Sequence, residues 1–199
     1  MPDAAPPRPP PSASPVFWPA LPALGAERAA RVPLKALAGY PLALQAQVRQ
    51  QLAAGGLPEA LARRHAERHT VRTDAALFDY TQALKARFLR SAGPLAKVVY
   101  DPKIRLLQQA LGTHARISRV QGGRLKAKRE IRIASLFREA PADWLAMIVV
   151  HELAHLKEPE HDKAFYALCC HMLPDYHQHE FDLRVYLVLQ DLAAPLAAS

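Results

Sequence analysis

His151-Glu152-Leu153-Ala154-His155 constrains this chain more than any other stretch, because its two imidazoles can meet only if the segment is helical. Residues four apart stand one above the other on a helix face, whereas on a strand they lie about 13 Å apart. The residues before the motif support the helix: Pro141 at its entry, Asp143 in its first turn, then Trp144, Leu145, Ile148 and Val149. Pro159 should stop it, and a turn beyond that proline can bring a third imidazole, His161, back to the first two. Two histidines and a glutamate at this spacing are a zinc site with the glutamate, Glu152, as general base. With His161 the protein supplies three ligands, and the fourth position stays open for water, as in catalytic rather than structural zinc. An amphipathic helix whose histidines merely stack is the plain alternative. The helix entry, the break and the third histidine together argue against it.

Half of the 199 residues are hydrophobic, enough for one domain with a real core. No apolar run approaches the roughly eighteen residues of a membrane span, so no membrane association is expected. The start, Met1-Pro2-Asp3-Ala4, has neither the basic nor the apolar part of an export signal. The two cysteines, Cys169 and Cys170, are neighbours and cannot form a relaxed disulfide with one another. A reducing, cytoplasmic setting is the expectation. The net charge of +8 is uneven: Thr113 to Ala140 carries eight Lys/Arg against two acids, His151 to Asp182 seven acids against two bases. A basic arm beside an acidic half can draw phosphate or nucleic acid to one face, or can simply keep a sheet edge soluble.

Ten of the eighteen prolines fall in the first 33 residues, which reads as a disordered or extended leader, 1–33. Residues 34–92 read as an accessory helical segment. Leu42, Leu44, Val48 and Leu52 lie on one side of a first helix that stops at Gly55-Gly56. A second runs from Leu57 to about Arg68, and a third from Ala75 to Phe88. His65 and His69, four apart but without a third ligand nearby, are expected at the surface. The core is expected at 93–199. Lys97 to Tyr100 is a short strand candidate and Lys103 to Leu111 a helix. Ala115 to Val120 and Lys128 to Leu136 flank Gly122-Gly123 as a β-hairpin, with Ile131 and Ile133 inward and Arg132 outward. A helix should begin near His161-Asp162, carry Phe165, Leu168, Cys169 and Met172 as its apolar stripe, and end at Pro174. The cysteines then belong to the core. The last element, Glu180 to Leu192, can be one helix or a strand followed by a helix.

Val149 to Glu158, with His161, Lys163, Ala164 and Phe165, resembles the zinc-binding signature of the YgjP-like metallopeptidases, zincin-fold proteins similar in core to the SprT-like and Wss1-like proteases. The resemblance takes in Gly112 to His114, Arg119 to Gly123, Glu130 to Ala134, Pro174 to Tyr176 and Glu180 to Asp182. It covers about Ala92 to Leu189 and is faint over the N-terminal helices. It implies an α+β, zincin-like core with a small sheet on the metal helix and one Zn2+ per chain held by His151, His155 and His161. It also implies Glu152 as base, and a sheet edge at Lys128 to Leu136 able to take up an extended peptide.

The residues therefore point first to a peptidase acting on peptide or protein, with Glu152 taking the proton of a metal-bound water. Tyr166, His171, Tyr176, His177 and His179 are candidates to steady the oxyanion, and Asp162, Asp175, Glu180 and Asp182 to orient the ligand histidines. Hydrolysis of nucleoside triphosphates is the second reading. Arg119, Arg124, Lys126, Lys128, Arg129 and Arg132 of the basic hairpin 116–132 are its phosphate partners, although no glycine-rich phosphate loop is present. A third is a DNA-associated protease whose basic hairpin holds nucleic acid, by analogy with the SprT-like proteins.

Overall fold

The computed structural model describes residues 17–19, 21–104 and 129–193. They fall into two units. The first holds 67–104 and 129–179, and the second holds 17–19, 21–66 and 180–193. Among the described residues no helix is long and apolar enough to cross a membrane.

The first unit is α+β. It opens with helix α4, Asp74–Phe88, whose N-cap Thr73 accepts the amide of Ala76 at 3.1 Å. Strand β1, Leu95–Asp101, follows, and pairs in parallel with β2, Arg129–Ala134. Val98 lies opposite Ile131 and Tyr100 opposite Ile133, all four buried, so one face of the ladder is core. Ile131 and Ile133 point inward as their alternation predicts, and Arg132 is only half-buried. The partner of this strand among the described residues is β1. Parallel strands need a crossover rather than a two-residue turn, and 102–128 is long enough to supply it. The other arm of the expected hairpin, Ala115 to Val120, and the expected helix from Lys103 lie largely outside the described residues.

A 3-10 turn, Ser135–Arg138, leads from β2 into helix α5, Ala142–Ala154, capped by Pro141. Nine of its residues are buried, including Trp144, Leu145, Met147, Val149, Val150 and Leu153. The run Ile148-Val149-Val150 is poor in helix propensity by a few tenths of a kcal/mol per residue. Fully burying Val149 and Val150 is worth about 1.5–3 kcal/mol each, so packing decides. Helix α6, Lys163–Met172, starts where Asp162 Oδ1 accepts the amide of Phe165 at 3.0 Å, and buries Phe165, Cys169 and Met172 as expected. Leu173 is extended, Pro174 follows, and α7, Tyr176–Ala193, is a single helix whose first turn belongs to this unit.

His69 is buried rather than at the surface. Its Nε2–H donates to the Phe137 carbonyl at 3.0 Å while Nδ1 accepts the amide of Val71 at 3.1 Å. Nε2 thus ties 67–72 to the turn that enters α5, while Nδ1 braces the segment itself. Alongside, the amide of Ala142, an orphan donor at the helix start, is satisfied by Glu67 O at 2.8 Å. Spacing alone could not reveal this, because the partner that draws the ring inward, the Phe137 carbonyl, is a main-chain group 68 positions away.

The second unit holds α1, Ala26–Ala30, α2, Leu42–Ala54, α3, Leu57–Arg64, and the rest of α7. Val48 and Leu52 are buried as expected, but Leu42 is 81% exposed in the first turn of α2. His65 is also buried, against the surface expectation: its Nε2 lies 2.9 Å from Asp182 Oδ2, and Arg64 Nη1 reaches both carboxylate oxygens at 2.9–3.0 Å. Gly55 and Gly56 both have positive φ, and a Cβ on Gly55 would meet Ala23 at 3.0 Å, which fixes the α2–α3 corner.

Candidate metal centre

The last turn of α5 carries His151, and His155 is its C-cap residue. Main-chain bonds from Leu156, Lys157 and Glu158 back to Leu153 and Ala154 close the chain into a turn before Pro159. His161 follows and returns to the other two histidines. The three ring centroids are 4.7–4.9 Å apart, and one nitrogen from each ring lies within 4.8 Å of the others. Nε2 of His151 and Nε2 of His161 are 3.1 Å apart.

These residues fit a metal ion. Two nitrogens bound to a tetrahedral ion at 2.0–2.1 Å are separated by about 3.3 Å, close to the spacing found here. The second ring nitrogens of His155 and His151 are engaged elsewhere. His155 Nδ1–H donates to the Glu158 carbonyl at 3.1 Å, and His151 Nδ1 lies 2.7 Å from the Tyr176 hydroxyl. An acceptor such as the Glu158 carbonyl keeps the proton on Nδ1 and leaves Nε2 able to bind an ion. Phe165, wholly buried, sits 4.6–5.0 Å from all three imidazole centroids and forms a common floor beneath them. Glu152 is half-buried beside His151, and desolvation raises its carboxyl to about 7. A bound cation would act in the opposite direction.

The other candidates separate. Tyr166 stands 6.4 Å from His161, ring to ring, and flanks the cluster, while His177 packs against Tyr166 at 5.3 Å. His171 instead packs edge-on against Phe88, at 5.8 Å. The acids expected to orient the ligands do other work: Asp162 caps α6, Glu180 pairs with Arg184, Asp182 with Arg64 and His65, and Asp175 is exposed. A tyrosine hydroxyl and a main-chain carbonyl stand beside the histidines where carboxylates were expected. Cys169 is buried, and burial pushes the Cys170 thiol above its usual value, so neither is an activated nucleophile. Of the basic residues expected to meet phosphate, only Arg132 has a described side chain, and it pairs with Asp101 and Glu130 at 3.1 and 2.8 Å.

The chain is similar to the UTP pyrophosphatase of Escherichia coli (strain K12), at 59% identity over 151 residues that make up 76% of this chain and 90% of that protein. No solved structure matches. Residues 41–186 match the YgjP-like metallopeptidase domain, which takes in the helices over which the sequence resemblance is faint. With the histidine cluster, Glu152 and both strands inside that span, the chain belongs to the YgjP-like family.

Proposed function

We propose that this protein is a metal-dependent hydrolase of nucleoside triphosphates that splits UTP, with water, into UMP and pyrophosphate. The observation that carries the reading is the 59% identity, across 76% of the chain, with a relative named for that activity. The peptidase reading rests on a motif that serves either bond, since metal-activated water attacks phosphorus as well as carbonyl carbon.

His151, His155 and His161 would hold one ion, and an all-imidazole set suits Zn2+. Such an ion, when bound, acts as a Lewis acid and makes its water acidic enough to attack near neutral pH. Three neutral ligands add no negative charge beside a polyanionic substrate. Glu152 accepts the proton of the attacking water and is the group through which that proton returns to the departing pyrophosphate. The basic segment 116–132 supplies the phosphate contacts, from Arg119, Arg124, Lys126 and Lys128, while Arg132 is engaged with Asp101 and Glu130. The adjacent thiols fit a reducing, cytoplasmic location.

Phosphorus NMR of UTP incubated with the zinc-loaded chain tests this. The expected products are UMP and pyrophosphate, formed by the wild type and not by Glu152→Gln at equal zinc content. UDP and phosphate would move cleavage to the other anhydride bond. Intact UTP with Glu152-dependent cleavage of peptides would return the protein to peptide chemistry.

A further inference from the structure

We infer that Tyr176 is a positioning residue for the metal centre: its buried hydroxyl accepts a hydrogen bond from Nδ1–H of His151 and thereby commits Nε2 of that ring to the ion. The inference rests on the reading of His151 as a metal ligand.

A neutral imidazole carries one proton, so a ring that binds through Nε2 must keep that proton on Nδ1. At His155 this is settled by the Glu158 carbonyl, which can only accept. At His151 the group in that place is the Tyr176 hydroxyl, at 2.7 Å. It is held there by the short link between α6 and α7. Leu173 is extended with φ −144°, Pro174 ends the helix, and the amide of Tyr176 donates to Leu173 O at 2.9 Å. The phenol ring is buried and lies 19° from parallel to the His151 ring, 6.3 Å away. Phe165 packs against His151 as well, at 5.0 Å. The tyrosine is therefore placed by packing, and the hydroxyl is its one polar contribution at this ring.

The cost of losing that hydroxyl falls unequally on two states. Without metal, His151 can move its proton to Nε2, where His161 Nε2 stands 3.1 Å away to receive it. With metal on Nε2 the proton has to stay on Nδ1, where the variant no longer offers the tyrosine oxygen. Outer partners of ligand histidines typically change metal affinity 10–100-fold. A purely structural tyrosine would instead shift stability and leave affinity alone.

The test uses the full chain and its Tyr176→Phe variant. Zinc affinity is read by competition with a chromophoric chelator, metal-free stability by thermal melting, and the His151 tautomer by nitrogen NMR of the imidazoles. We expect zinc binding about 10–100-fold weaker in the variant, a metal-free melting temperature close to wild type, and an Nδ1 proton in the metal-free wild type that becomes distributed over both nitrogens in the variant. Equal zinc affinities would overturn the inference, and so would equal affinities with a lowered melting temperature. Should the variant not fold, the wild-type spectrum decides, and a proton on Nε2 there would overturn it. A wild type that takes up no zinc would sink the ligand reading beneath, and this one with it.

Discussion

Nε2 of His161 lies 3.1 Å from Nε2 of His151, ten positions earlier, although His161 sits in the segment between two helices and is exposed. A histidine in water gains little by approaching another unless something is shared between them. Its contribution should therefore appear only when metal is present. His161→Ala is expected to leave metal-free stability within about 0.5 kcal/mol of wild type, as for exposed positions generally. Zinc binding should weaken roughly a hundredfold or more, since a bound zinc derives about 3 kcal/mol from each ligand. Melting with and without zinc checks both, because a ligand that binds the native state raises its melting temperature.

Phe165 touches all three imidazoles from within the core, so it should couple affinity to packing. Phe165→Ala is expected to cost about 3–5 kcal/mol through the cavity it leaves. Phe165→Leu keeps most of that volume. It should preserve the fold at a cost nearer 1–2 kcal/mol while still weakening zinc binding, because the floor is no longer flat. Denaturant unfolding and zinc titration of the leucine variant separate the two effects.

The helix bearing His151 and His155 was legible because its apolar surround and Pro141 mark where it begins, although it ends at Ala154, a turn earlier than Pro159. Lys97 to Tyr100 was legible as a short strand, and Ile131 and Ile133 as inward-facing residues, for a similar local reason, whereas the parallel pairing of the two strands was not. What escaped the sequence were contacts set by tertiary placement. His65 and His69 look like surface residues by spacing and are buried, because each meets a partner far along the chain: Asp182 for one, the Phe137 carbonyl for the other. Acids were the natural candidates to steer the ligand histidines, yet Tyr176 and the Glu158 carbonyl occupy those positions. A main-chain acceptor leaves no mark in sequence. The exposed Leu42 shows the converse, an apolar residue at the right period in a first turn that nothing covers.

The His69 arrangement predicts a pH dependence of stability. Desolvation, with Arg72 and Arg68 nearby, lowers its pKa from 6.5 to about 4, and the Phe137 carbonyl and Glu139 offset only part of that. The unfolded chain therefore binds more protons than the native one between these values, so stability is complete above pH 6.5 and falls as pH drops toward 4. His69→Gln can still donate to Phe137 O but does not titrate. Its unfolding free energy should be flatter across that window than the wild type's. Parallel profiles would show that other groups set the acid limb.

Glu152→Gln is the substitution on which the chemistry turns. Glutamine keeps the size of the side chain and can still hydrogen-bond, but it cannot take a proton. The three histidines are untouched, so zinc content should stay near one per chain. Removing a positioned general base commonly costs 10²–10⁴-fold in rate, and a loss of that order is expected in kcat for UTP with KM little changed. That pattern belongs to a group used in the transition state rather than in binding. A variant with normal kcat and raised KM would place Glu152 among the substrate contacts and leave the attacking water without a base from this helix. A variant that lost zinc as well would show that the carboxylate supports the site itself, and activity alone would then say nothing about its role as a base.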